Sequence, residues 1–305
     1  MRAPCKAPRR RRKPNPEGRA AALLLLPSLL GTAVFVLLPF AETVRRSFCD
    51  ARGRFAGLAN YRAVLENAAF QLAARNTARF LCSCVPILLA VSLLLALGVR
   101  VVARRRDGGE TARGRVFRTS FLLPMAIPVA SIVVLWQALF AENGLVNAWL
   151  GALGAPAIDW MGSRAAFWVL VLTYVWKNAG YDMILLLAGL DGIGADLYEA
   201  ASVDGANAWQ KFWQITLPNL RPTFGMVGVL SVLNSFKAFR EAFLVGGNYP
   251  DESMYLLQHL FNNWFLDLEM GRITAAAVLV VGAMLTGAAV FLAVVRRLRR
   301  GEKKC

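Results

Sequence analysis

The 305 residues are 57% hydrophobic and carry a formal charge of +16, with a mean hydropathy of +0.46. An apolar content above the roughly 45–50% of soluble domains makes this an integral membrane protein, and its Lys and Arg cluster beside apolar runs as topology signals rather than as a nucleic-acid surface. A single histidine, His259, excludes a multi-histidine metal site, and five cysteines (Cys5, Cys49, Cys82, Cys84, Cys305) give no disulfide framework.

In chain order, residues 1–19 form a basic tail with Glu17 as its one acid and four prolines, expected to be disordered and cytoplasmic. Ala20–Phe40 is free of charge for 21 residues and long enough to cross a hydrocarbon core of about 30 Å. It exceeds a signal-peptide core and lacks a small-residue cleavage site, so it reads as the first span. Residues 41–78 are an external or interfacial segment, a turn followed by an amphipathic helix bearing Leu58, Tyr61, Leu65 and Phe70.

The second span is Phe80–Val99, bracketed by Arg79 and Arg100 and kinked at Pro86. Residues 104–118 hold six arginines and belong inside. Thr119–Ala141 is the third span, with Pro124 and Pro128 near its start, and residues 142–165 leave to the outside. The fourth runs from Ala165 to Leu190, interrupted by Lys177 and Asp182. The fifth begins at Thr223 and meets Lys237, Arg240 and Glu241. Residues 246–271 contain no Lys or Arg, Ile273–Val295 is the sixth span, and 296–305 is a basic tail.

With both ends inside, the cytoplasmic segments hold 22 Lys and Arg and the external loops 7. The expectation is an all-α, six-span protein with both termini cytoplasmic, a core over 79–295 and a cytoplasmic loop over 191–222. No phosphate loop, nucleophile elbow or HExxH motif is present. No catalysis, cofactor or metal is therefore expected, and six spans with polar groups at membrane depth point to transport.

The loop contains the most informative stretch, Glu199–Pro222, EAASVDGANAWQKFWQITLPNLRP. Glu199 suits a helix N-terminus and Ala200, Ala201 and Ser202 follow it. Asp204-Gly205 breaks that helix. A second piece places Trp209, Phe212, Trp213 and Leu217 on one side until Pro218 stops it. A helix-turn-helix hairpin with one apolar face is expected.

This stretch resembles the EAA coupling loop of ABC importer permeases, EAAxxDGAxxxxxFxxIxLPxxxP. The matching residues are Glu199, Ala200, Ala201, Asp204, Gly205, Ala206, Phe212, Ile215, Leu217 and Pro218, with Pro222 beyond them. The first span's PSLLG, the GLANY segment and SFKAFREAF are similar to carbohydrate permeases of the maltose and glycerol-phosphate type. The resemblance implies a sugar importer in a prokaryotic inner membrane. It also implies three kinds of partner: a second homologous permease, two cytoplasmic ATPase subunits meeting the loop, and an extracytoplasmic solute-binding protein. Other solutes, glycerol phosphate or a peptide, fit the same loop, and a secondary transporter is the rival class.

Two stripes are candidates for the substrate path. Tyr174, Asn178 and Tyr181 lie at i, i+4 and i+7 on the fourth span, and Ser231, Asn234 and Ser235 lie on the fifth. Phenols, hydroxyls and amides suit a sugar, while the competing role for such groups is helix packing. The charges in these spans read as structural, with Lys237 and Glu241 spaced to pair.

Overall fold

The computed structural model describes residues 16–50, 52–103 and 111–302. The basic tail over 1–15 and the arginines at 104–106 lie outside the described residues. Among those described, the chain is helical, with one isolated bridge between Cys49 and Phe55. It divides into two units. The first holds the described residues up to Val64 together with Glu269–Thr286, the second Leu65–Leu268 together with those from Gly287 onward.

In the first unit α1 (Pro16–Thr32) passes through a π-turn (Ala33–Leu37) into α2 (Leu38–Ser47). The apolar stretch of this rod runs from Leu23 to Ser47, farther than the expected Phe40, because the helix continues through Glu42, Arg45 and Arg46. These side chains pair within one turn, Arg45 and Arg46 each at 2.8 Å from Glu42. The following loop is closed by GLANY. Asn60 Nδ2 donates to the carbonyls of Ser47 and Cys49, and the hydroxyls of Tyr61 and Ser47 are 2.7 Å apart. Only α3 (Ala59–Leu65) forms the expected amphipathic helix.

In the second unit α4 (Ala68–Ala103) is 36 residues long, so Phe70 and the expected second span belong to one helix. Asn67 starts it by accepting from the Phe70 N–H. The expected third span is two helices, α5 (Ala112–Ala126) and α6 (Val129–Phe140). Pro128 forces Ile127 out of the helical region, to φ −72° and ψ 131°. Then come α7 (Leu145–Ala152) and α8 (Ala166–Asp191), followed by α9 (Ala195–Val203) and α10 (Ala208–Lys211). The remaining helices are α11 (Leu217–Ser235), α12 (Phe239–Gly246), α13 (Leu257–Leu266) and α14 (Met270–Glu302), the last shared by the two units.

Four stretches among the described residues are long and apolar enough to cross a membrane: Leu23–Ser47, Ala68–Ala103, Val129–Ala152 and Met270–Val290. Helices α8 and α11 fall outside that measure because polar side chains dilute them. Yet α8 is the axis of the second unit. Its first half packs with α4 and α12 around Phe80, Phe167 and Tyr174. Its second half packs with α4 and α11 around Met183, Leu186, Leu190 and Leu220. Small residues permit the approach: a Cβ on Gly180 would meet the Phe121 carbonyl of α5.

Candidate functional site

The hairpin begins earlier than Glu199. Its first arm, α9, starts at Ala195 after Gly194, with Asp196 in the first turn, so Glu199 is exposed at mid-helix rather than at the N-terminus. The arm ends as the Asp204-Gly205 pair requires. Gly205 adopts φ +78°, Ala206 N–H donates to Ala201 O, and Gly205 N–H donates to Ser202 O. This is the left-handed terminus that glycine forms most cheaply.

The second arm opens with a reciprocal cap. Asn207 Oδ1 accepts from the Gln210 N–H, and Gln210 Oε1 accepts from the Asn207 N–H. That N-x-x-Q spacing was a readable signal of the helix start that motif matching passes over. A π-turn follows over Phe212–Thr216 and runs directly into α11. Pro218 therefore does not stop the helix. It lies in the first turn of α11, where its missing N–H is tolerated, and Pro222 also sits inside α11. The arms are tied by Lys211 Nζ, which donates to Ser202 Oγ at 2.7 Å.

The structure brings the ten loop residues into one contiguous piece. Glu199, Ala200 and Ala201 are on α9, Asp204, Gly205 and Ala206 make the turn, Phe212 and Ile215 are in the π-turn, and Leu217 and Pro218 open α11. Trp209 is 68% and Trp213 49% exposed. With Phe212 they form an aromatic tip, ring centroids 5.5 Å apart for both Trp209–Trp213 and Phe212–Trp213. Ile215 instead turns back onto the inner core, the cluster around Met183, Leu186, Leu190 and Leu220.

The membrane-depth stripes separate into two kinds of residue. Tyr174 is 2% exposed and packs edge-on against Phe80. Ser231 is buried and donates to Asp182 Oδ2 at 2.7 Å, joining α11 to α8. Ser235 is buried and donates to the Val232 carbonyl of its own helix. Asn178, Tyr181 and Asn234 are half-buried, and Asn178 donates to the Tyr174 carbonyl. Glu241, expected to pair along its own helix, is met from α8 by Lys177 Nζ at 3.1 Å, both side chains buried. The Lys237 side chain lies outside the described residues.

The family profile described as "Binding-protein-dependent transport system inner membrane component" matches residues 109–302. The chain belongs to that family. It is an inner-membrane transport component rather than an enzyme, and its permease relatives extend over nearly its whole length. It is 31% identical to the osmoprotective compounds uptake permease GgtC of Synechocystis, over 92% of this chain and 99% of that one. It is 30% identical to the trehalose/maltose transport system permease MalF of Thermococcus litoralis, over 92% and 95%. In fold it is similar to a chain of a bacterial ABC transporter that imports alginate, with a TM-score of 0.78 at 23% identity over 92% and 96% of the two chains.

Proposed function

We propose that this permease forms half of the pore of an ATP-driven importer for a sugar or oligosaccharide, with six spans and both termini in the cytoplasm. A second homologous permease completes the pore, and two cytoplasmic ATPase subunits drive it through Glu199–Pro222. An extracytoplasmic binding protein delivers the solute. The observation that carries the coupling role is the hairpin itself. Its aromatic tip is exposed, its arms are capped and cross-tied, and it runs without a flexible linker into α11. Motion imposed on the tip therefore reaches the spans instead of being absorbed.

Sugar as the solute class rests on the relatives. They include permeases for trehalose and maltose, for lactose in Rhizobium radiobacter, and for starch degradation products in Thermoanaerobacterium thermosulfurigenes. The alginate transporter has also been solved with a pentasaccharide-bound periplasmic protein. Along the pore, Asn178, Tyr181 and Asn234 remain the groups suited to sugar hydroxyls, while Tyr174, Ser231 and Ser235 support the helices that present them.

The test is uptake of labelled maltose, trehalose, lactose and malto-oligosaccharides by cells expressing the complete system. At least one should accumulate, and Glu199→Lys or Gly205→Pro should abolish accumulation with the permease still in the membrane. Undiminished uptake in both variants would remove the coupling role, and accumulation of none of the four would remove the sugar assignment.

A further inference from the structure

Tyr198 stands one residue before Glu199 and lies apart from the exposed tip. Its ring packs against the inner core cluster, which is drawn from α4, α8 and α11. Over that ring stands Arg100 of α4, its guanidinium carbon 5.2 Å from the ring centre. Arg100 Nη1 also donates to the Tyr198 hydroxyl at 3.4 Å, and that hydroxyl is 2.9 Å from Thr216 Oγ1. Thr216 is 5% exposed and already donates to the Lys211 carbonyl at 3.3 Å. Its one proton is committed there, so the proton between the two hydroxyls belongs to Tyr198.

The donors therefore run in a single direction, from Arg100 to Tyr198, to Thr216, to the Lys211 carbonyl. One side chain meets α4, both arms of the hairpin and the core beneath them. We infer that Tyr198 is the positioning residue that locks the hairpin to the spans, so that α9, the π-turn and the inner end of α4 move as one body. A serial hydrogen-bonded chain polarises its members, so that each link strengthens the next. The inference rests on the ATPase-docking reading for its consequence, because a locked joint matters where a partner pushes on the hairpin.

The test uses the assembled transporter in nanodiscs, with the five native cysteines replaced by alanine. Nitroxide labels are placed at Val203→Cys and Leu94→Cys, which are 88% and 68% exposed and outside the donor chain. Tyr198→Phe keeps the ring and the cation over it and removes only the hydroxyl. Thr216→Val keeps shape and breaks the same link. Each should broaden the nucleotide-free label-to-label distance distribution by about twofold, with the double variant no broader than either single one.

A parent-like width in either assembled variant would overturn the inference. So would a double variant broader than both singles. Should Tyr198→Phe fail to assemble, Thr216→Val decides alone, since it leaves the ring in place. Failure of the docking reading is seen separately, as parent-like uptake by Glu199→Lys, and the nucleotide-free width does not depend on it.

Discussion

Glu241 and Lys177 are 64 residues apart, and the pairing they make is one that neither local spacing nor hydropathy signals. A carboxylate buried between helices is tolerable because an ammonium from the neighbouring helix meets it. Removing one member is therefore worse than removing both. Lys177→Met should cost about 3–5 kcal/mol of stability, whereas Lys177→Met with Glu241→Leu should recover most of that loss. Thermal unfolding in detergent separates the two cases, and equal melting of single and double variants would refute the pairing argument.

His259 gives a second test at the same scale. It is fully buried, its Nδ1 accepts from the Leu256 N–H at 3.1 Å, and the rings of Tyr255 and Phe239 cover it. Burial disfavours the imidazolium and pulls its pKa down from 6.5 to about 4. Between those values the unfolded chain binds the extra proton. Stability from this group is therefore complete above pH 6.5 and falls by about 3 kcal/mol as pH drops toward 4. His259→Gln should flatten the melting-temperature profile over that window. A wild-type profile flat from pH 7 to 4.5 would contradict it.

Among the elements, what the sequence made legible was where lipid-compatible runs lie; what it hid was where helices begin and end. Hydropathy measures depth in the bilayer, whereas helix length depends on caps and on polar residues that are good helix formers. Arg75 and Arg79 therefore sit inside α4, although they bound its apolar run. Pro128 was visible, but its effect is geometric: it splits the third apolar run into α5 and α6. Pro218 opens α11 instead of ending a helix, and a proline in a helix's first turn and one that ends a helix look alike without the preceding backbone. The turn at Gly205 was fully legible, since Asp-Gly after a helical run leaves little choice.

Helix contacts also explain residues with no chemistry of their own. Gly180→Ala adds a methyl where the Phe121 backbone already stands, so α5 and α8 must separate. The expected cost is about 1–3 kcal/mol, read as a lower melting temperature, while Gly98→Ala, in the interior of α4 with open space around it, should leave the melting temperature equal or higher. Equal effects of the two would deny that α5 and α8 are in contact at this glycine.

For the whole molecule, the proposed function places the energy source in the partner ATPase subunits, which this member of a family of transport components would meet through its hairpin. Uptake should therefore follow cellular ATP. An uncoupler that collapses the proton gradient while ATP is held constant should leave the initial rate unchanged. A rate that collapses with the gradient would instead favour ion coupling through the charged groups of α8 and α12.

The π-turn at Phe212–Thr216 sets an angular phase along the rod formed by α10 and α11. It holds one residue more per turn than the helices on either side, and each α-helical residue corresponds to about 100° of rotation. Deleting Gln214 would let this turn relax to ordinary helix with one residue fewer and leave Trp209 near its present phase. Inserting one alanine after Asn219, inside α11, would instead swing Trp209 around the axis by about 100°, and the aromatic tip would point away from its present direction, like a key cut correctly and inserted with the wrong twist. Co-purification with the ATPase should be lost with that insertion, while the Gln214 deletion, with the phase kept, should retain it.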